Sequence, residues 1–149
     1  MLNKKRILLV HPLGYSPESA GRDISRKANI MPPLGLASLA AYLKDAGIEA
    51  DIVDYYARPM SDPLVRDYLT RYRPDFIGMS CTTSSFLDGV RIAEMARSVE
   101  TGIRTVFGGP HVSALKTMIL EDFPQIDLTV VGEGEETLKE LMELSLIHI

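Results

Sequence analysis

The chain has 149 residues, 46% of them hydrophobic and 24% charged, with a formal net charge of −4. That length and apolar content suit one globular domain with its own core, and the acidic balance argues against nucleic acid or an anionic membrane surface as a partner. No apolar run approaches the ~20 residues of a membrane span, and the single Cys81 excludes an internal disulfide and fits a reducing cytoplasm. The start, MLNKKRILLV, places basic residues before an apolar run. That run is too short for a signal peptide and lacks a small-residue cleavage site, so it reads as a strand. KRILLVH (Lys5–His11) is the first strand, buried on both faces. LGLASLAAYLKDAG follows as a helix, with Pro32 and Pro33 before it and Gly47 behind. IEADIVDYY is the second strand. Ser61 is placed to cap a helix through DPLVRDYLTRYR, with Pro63 in its first turn. DFIGMS (Asp75–Ser80) is the third strand, and SSFLDGVRIAEMARSVE a helix closed by Gly102. IRTVF is the fourth strand, VSALKTMILEDF a helix stopping before Pro124, DLTVV the fifth strand and EETLKELMEL a last helix.

This βα alternation predicts an α/β, three-layer sandwich with a five-stranded parallel sheet, Rossmann-like in its helix cover. Right-handed crossovers leave few topologies, and the expected strand order is 2-1-3-4-5, the flavodoxin-like one. Ligands in such sheets lie beyond the carboxyl ends of the strands, near the point where the order reverses. The residues after each strand therefore matter most. Strand 1 runs into HPLGYSPESAGRDISRKANIMPP, far longer than an ordinary connection. Strand 3 ends in SCTTSS, strand 4 in GGPH and strand 5 in GEGEE. Small residues at three neighbouring ends leave a trough, which hydroxyls and helix N-terminal amides can line with donors.

Each feature also has an ordinary reading. Ser80, Thr82, Thr83 and Ser84 suit helix capping, which is compatible with ligand contact. Gly108 and Gly109 suit permissive backbone angles. His111 suits a surface or capping role. Glu133, Glu135 and Glu136 suit the positive end of a helix dipole. His11 suits the close of a strand, and Cys81 a small buried residue with no base placed to activate it. Other sites are absent from the pattern. HPLGYSPESAG lacks the G-x-G-x-x-G of a dinucleotide loop, which leaves Asp54 a weak candidate for a ribose. There is no P-loop. Ser80 stands where a phosphorylated receiver would need an aspartate, and HPLG is a poor phosphate loop for a flavodoxin.

The ordered set I-L-L-V-H-P, PPLGLASLAAYLKDAG, DFIGMSCTTSSF, VFGGPHVSA and VVGEGEETLKEL resembles the N-terminal cobalamin-binding domain of B12-dependent radical SAM enzymes, over about Lys5 to Leu144. The resemblance implies a flavodoxin-like domain holding cobalamin over the strand ends, with the nucleotide tail in the trough and the corrin ring above. It implies that Ser80 and Thr82 line the tail channel, with Cys81 and Thr83 beside them in the cofactor site, and that Gly108 and Gly109 form a floor free of side chains. Pro110 and His111 would then lie near the ring's edge. Gly132, Glu133, Gly134 and Glu135 would close the far side. Pro12, Leu13 and Gly14, with Pro33, Leu34 and Gly35 at the first helix, would complete the cofactor site. A Gly109→Val change is expected to block the tail and spare the fold. The D-x-H-x-x-G segment whose histidine ligates cobalt in B12-dependent mutases and methionine synthase is missing. The resemblance thus implies base-off cobalamin with no protein histidine on the metal.

Radical SAM chemistry needs C-x-x-x-C-x-x-C thiolates, and this chain has only Cys81. The chain alone is therefore expected to bind and not catalyse. LSLIHI (Leu144–Ile149) reads as a translation of the transposon-end adapter CTGTCTCTTATACACATC. Residues 1–143 are thus expected to be the native domain, followed in the whole protein by a catalytic domain with a 4Fe-4S cluster and S-adenosylmethionine. A natural apolar helix end is the alternative. Relay of a methyl group is the expected chemistry of the whole enzyme. Two other functions stay open at this point: a flavodoxin-like enzyme binding a nucleotide or sugar-nucleotide phosphate, and a degenerate domain serving as an interaction platform with an empty trough.

Overall fold

The computed structural model describes residues 5–14 and 30–144. The long segment after the first strand (15–29) and the adapter-like residues 145–149 lie outside them. RILLVH forms β1 (Arg6–His11), whose four central residues are buried, as a strand covered on both faces requires. α1 (Leu34–Asp45) enters after Pro33 and ends where the Ala46 and Gly47 amides turn back to the Tyr42 and Lys44 carbonyls. Gly47, at φ +81°, takes the left-handed angle this turn requires. There follow β2 (Glu49–Asp54), α2 (Asp62–Tyr72), β3 (Phe76–Ser80), α3 (Phe86–Val99) and β4 (Arg104–Gly108). The chain closes with α4 (Pro110–Leu115), a 3-10 turn (Lys116–Met118), α5 (Ile119–Asp122), β5 (Leu128–Thr129) and α6 (Glu135–Leu144).

Three local expectations are corrected. Ser61 precedes α2 but makes no side-chain cap bond. Its hydroxyl donates instead to the Arg58 carbonyl at 2.5 Å, closing the turn before the helix. The helix expected over 112–123 breaks at Lys116, whose φ of +56° cannot continue a right-handed helix. The fifth strand shrinks to Leu128–Thr129 at the sheet edge.

The five-stranded sheet has the order β2-β1-β3-β4-β5, with every pairing parallel. Strand alternation sends Leu8, Val10, Ile77 and Phe107 to the face covered by α2 and α3. Ile7, Leu9, Phe76 and Val106 go to the other face, packed with Leu36, Ala40 and Leu43 of α1 and Leu138 and Met142 of α6. α1 lies opposite α2 and α3 because its crossover leaves β1 in the other direction with the same hand; α6, which follows the last strand, packs back beside α1 through Leu138 and Met142. No described helix is long and apolar enough to cross a membrane.

Candidate functional site: a glycine-floored trough at the strand ends

On the α1/α6 face, the register sets Leu9, Gly78 and Val106 side by side across β1, β3 and β4. Gly78 leaves a gap in that row. A Cβ there would stand 3.0 Å from Leu9 Cδ2 and 3.4 Å from Ile7 Cδ1. One step further along, Ser80 pairs with Gly108, so the gap continues to the strand ends. Gly35, Leu36 and Leu39 of α1 wall one side, and Gly134, Glu135 and Leu138 the other. Val130, Gly132 and Glu133 close the end beyond β5. The result is a cavity of about 240 Å³. Its walls are tied together at the top, where the Ser38 hydroxyl donates to Glu135 Oε1 at 3.3 Å and the Tyr42 hydroxyl donates to Glu136.

Of the residues singled out from sequence, Ser80, Gly108, Gly109, Gly132, Glu133, Gly134 and Glu135 line this trough, as does Gly35. Sequence reasoning missed Gly78 and the aliphatic walls. The available signal was a glycine inside the β-branched and aromatic run FIGMS, since a mid-strand glycine marks close approach by something else. Pro33 and Leu34 stand at the entrance to α1, with Leu34 exposed, and are not part of the lining.

Of the remaining residues, Pro12, Leu13 and Cys81 are buried, whereas Thr82, Thr83 and Pro110 are exposed at the strand ends. Cys81 follows Ser80 and so points away from the trough, into a core that holds Phe86, Phe107 and Val112. Burial pushes its thiol up to about 12, with the Asp88 charge adding to the shift, which rules out a ready nucleophile. The Thr82, Ser84 and Ser85 hydroxyls bind within the segment and give α3 no side-chain cap. The Thr82 amide donates to Ser85 Oγ at 3.0 Å, and Thr82 Oγ1 lies 3.1 Å from Ser84 Oγ. His111 Nδ1 meets Thr83 Oγ1 at 3.2 Å, and its ring packs 4.5 Å from that of Phe86. Pro110 opens α4. Pro12 and Leu13 are buried, and the Leu13 amide donates to Asp88 Oδ2 at 2.9 Å. Gly14, at φ +77°, lies so close to Ser84 that a Cβ would stand 2.8 Å from its carbonyl oxygen. Residues 12–14 thus latch the end of β1 to the start of α3. His11 is held from β2, its Nδ1 3.0 Å from Asp54 Oδ1.

The glycine pair divides into two roles. Gly108 is a floor residue, since a Cβ there would find only ordinary contacts, 3.6 Å from the Val130 carbonyl oxygen. Gly109 is required by the backbone. It sits at φ +97° and ψ −179°, and a Cβ would stand 2.7 Å from both the amide nitrogen and the carbonyl oxygen of Cys81. The expectation that valine at 109 would spare the fold is therefore corrected. None of the described residues lining the trough is cationic, and Glu133 and Glu135 lie at its mouth.

The domain is thus a parallel α/β fold with a glycine-floored, aliphatic-walled slot at the carboxyl ends of its strands. The chain belongs to the B12 binding domain family, which matches residues 24–142. It is 34% identical over 138 residues to an uncharacterized methyltransferase of Pyrococcus horikoshii, covering 93% of this chain and 29% of that protein. It is 33% identical over 138 residues to the anaerobic magnesium-protoporphyrin IX monomethyl ester cyclase of Rubrivivax gelatinosus, covering 92% of this chain and 24% of that one. Its fold matches the radical S-adenosylmethionine methyltransferase TsrM from Kitasatospora setae, solved with cobalamin and a 4Fe-4S cluster bound. The TM-score is 0.75 at 22% identity, over 95% of this chain and 26% of that one. The chain is thus a B12 binding domain by family, similar to a methyltransferase and a cyclase in sequence and to a radical S-adenosylmethionine methyltransferase in fold. The chain spans less than a third of the length of each.

Proposed function

We propose that the chain binds base-off cobalamin, with the nucleotide tail in the trough and the corrin ring over the strand ends, as the amino-terminal module of a B12-dependent radical SAM methyltransferase. The observation that carries this is the trough itself. Its volume of about 240 Å³ falls below the ~300–1,000 Å³ of sites that enclose a whole ligand, so it suits one bicyclic base and its sugar. Gly78 and Gly108 stand where a larger side chain would fill it. The Ser80 hydroxyl and the free first-turn amides of α6 supply donors for the sugar and phosphate at the mouth. Glu133 and Glu135 supply acceptors there. Thr82, Thr83, Pro110 and His111, with residues 12–14 and 33–34, frame the strand ends beneath the ring. Cys81 contributes by tying the ends of β3 and β4, its amide donating to the Gly108 carbonyl and its carbonyl accepting from the His111 amide, with its side chain fully buried.

When bound, cobalamin supplies a cobalt centre able to accept and pass on a methyl group. The domain's own part is to bind the tail, hold the base away from the metal and present the ring to a catalytic domain. That other domain would bring the cluster and S-adenosylmethionine. No nitrogen from His11 or His111 is expected on cobalt. The phosphate-binding enzyme is the weaker reading, because two carboxylates and no described cation line the trough. Such a lining repels a terminal phosphate dianion about twice as strongly as the singly charged phosphodiester of the cobalamin tail, which has the apolar burial of its base to offset the repulsion.

The test is to mix the purified chain with hydroxocobalamin, desalt it and record the absorbance spectrum. A retained base-off chromophore supports the reading. Colourless protein that is folded by circular dichroism refutes binding by this chain, and a spectrum showing nitrogen coordination refutes the base-off assignment.

A further inference from the structure

We infer that the trough selects the corrinoid by its lower base, taking a benzimidazole and discriminating against a purine. This rests on the cobalamin reading above and adds to it a specificity carried by the walls. The deep end is aliphatic: Leu9 and Val106 flank the Gly78 gap, and Leu36, Leu39 and Leu138 cover it from the helices. The lining side chains that carry polar atoms, Ser80, Glu133 and Glu135, sit at or beyond the strand ends. Glu135 is moreover engaged upward with Ser38. The backbone at the deep level offers nothing either, because Leu9, Gly78, Val106 and Leu128 are paired along one row of the parallel ladder.

A dimethylbenzimidazole brings a fused ring, two methyl groups and one free ring nitrogen. Those methyl groups gain by leaving water for the leucine and valine walls. An adenine of similar outline brings an exocyclic amine and additional ring nitrogens. Each of these polar groups loses its water on entering the slot and meets no partner there. An unpaired buried amide or hydroxyl is penalised enough to weaken binding about tenfold or more. Shape alone would not discriminate; the missing hydrogen-bond partners do.

Equilibrium dialysis of the chain against three corrinoids tests this: cobalamin, its adenine-base analogue and cobinamide, which lacks the nucleotide tail. The expected result is that cobalamin binds most tightly, with the adenine analogue at least about tenfold weaker and cobinamide also weaker. An adenine analogue bound within about twofold of cobalamin overturns the selectivity and leaves the cobalamin reading standing. Failure of all three to bind overturns the cobalamin reading itself. Leu39→Gln and Val106→Thr place a polar group in the wall, and either is expected to narrow the preference. Leu39 is only partly buried, so that variant remains informative if Val106→Thr does not fold. A ratio unmoved in every folded variant overturns the assignment of the preference to these walls.

Discussion

Replacing Gly109 by alanine should unfold much of what holds β3 and β4 together at their ends, whereas Gly108→Ala should be nearly silent. The conformation φ +97°, ψ −179° lies in a region open essentially to glycine, and holding another residue there costs about 1–3 kcal/mol. The new methyl would also stand 2.7 Å from Cys81 N and O, well inside the ~3.5 Å at which such atoms sit comfortably. Neither Cys81 atom is free to retreat. Its amide donates to the Gly108 carbonyl at 2.9 Å, and its carbonyl accepts from the His111 amide at 3.2 Å. Opening both bonds adds about 1–3 kcal/mol. The total is about 2–6 kcal/mol, a large part of the ~5–15 kcal/mol that holds a domain folded. At Gly108 the corresponding contacts are 3.6 and 3.9 Å, and φ is ordinary, so the change should stay within about 1 kcal/mol. Urea unfolding followed by circular dichroism reads the difference directly. With a slope of ~1–3 kcal/mol per molar urea, Gly109→Ala should lower the midpoint relative to Gly108→Ala by at least ~0.3 M, and by about 1–2 M at the middle of these ranges. Equal midpoints for the two variants would refute the division of the glycine pair into one backbone residue and one floor residue.

Gly108→Val should fill the trough and abolish cobalamin retention on a desalting column while moving the urea midpoint little, because a β-branched residue suits the end of a strand. Asp62 is pulled upward by burial, but hydrogen bonds from Arg91 and Tyr55 outweigh that and lower its pKa below the ordinary 3.8. Its contribution is therefore present above pH 3.8 and disappears as pH falls through its lower folded value. Asp62→Asn should flatten the acid limb of a stability-versus-pH curve below that point, and should cost about 1 kcal/mol or less at neutral pH, since the Arg91 pair is partly exposed. Cys81, fully buried with its thiol pushed up to about 12, should resist a thiol reagent at neutral pH and react fully only in denaturant; fast labelling of the native chain would contradict its place in the core.

Much of the fold was legible because its causes are local. Buried runs such as RILLVH and FIGMS, and the apolar spacing of LGLASLAAYLKD, specify strands and helices within a few residues of themselves. Their alternation then limits the topology through crossover handedness. The break at Lys116 was not legible, because an apolar pattern continues through Met118 and Ile119 while the backbone turns under tertiary packing. Likewise Ser61 has the chemistry of a cap, yet its hydroxyl found a nearer acceptor in the preceding turn.

The sequence alone determined that small and hydroxyl residues gather at the carboxyl ends of β3, β4 and the segment after β5, and its ordered motifs pointed to the family. Only the tertiary structure decided which of them share a space. Ser80 and Cys81 are neighbours in sequence but face opposite layers, because a strand turns successive side chains through half a revolution. Gly78 became part of the floor only once the register set it between Leu9 and Val106. The apolar walls came from α1 and α6, elements about a hundred residues apart in the chain. Crossover handedness sets α1 opposite α2 and α3, and α6 then folds back onto the apolar face beside α1, a packing that no window of sequence contains.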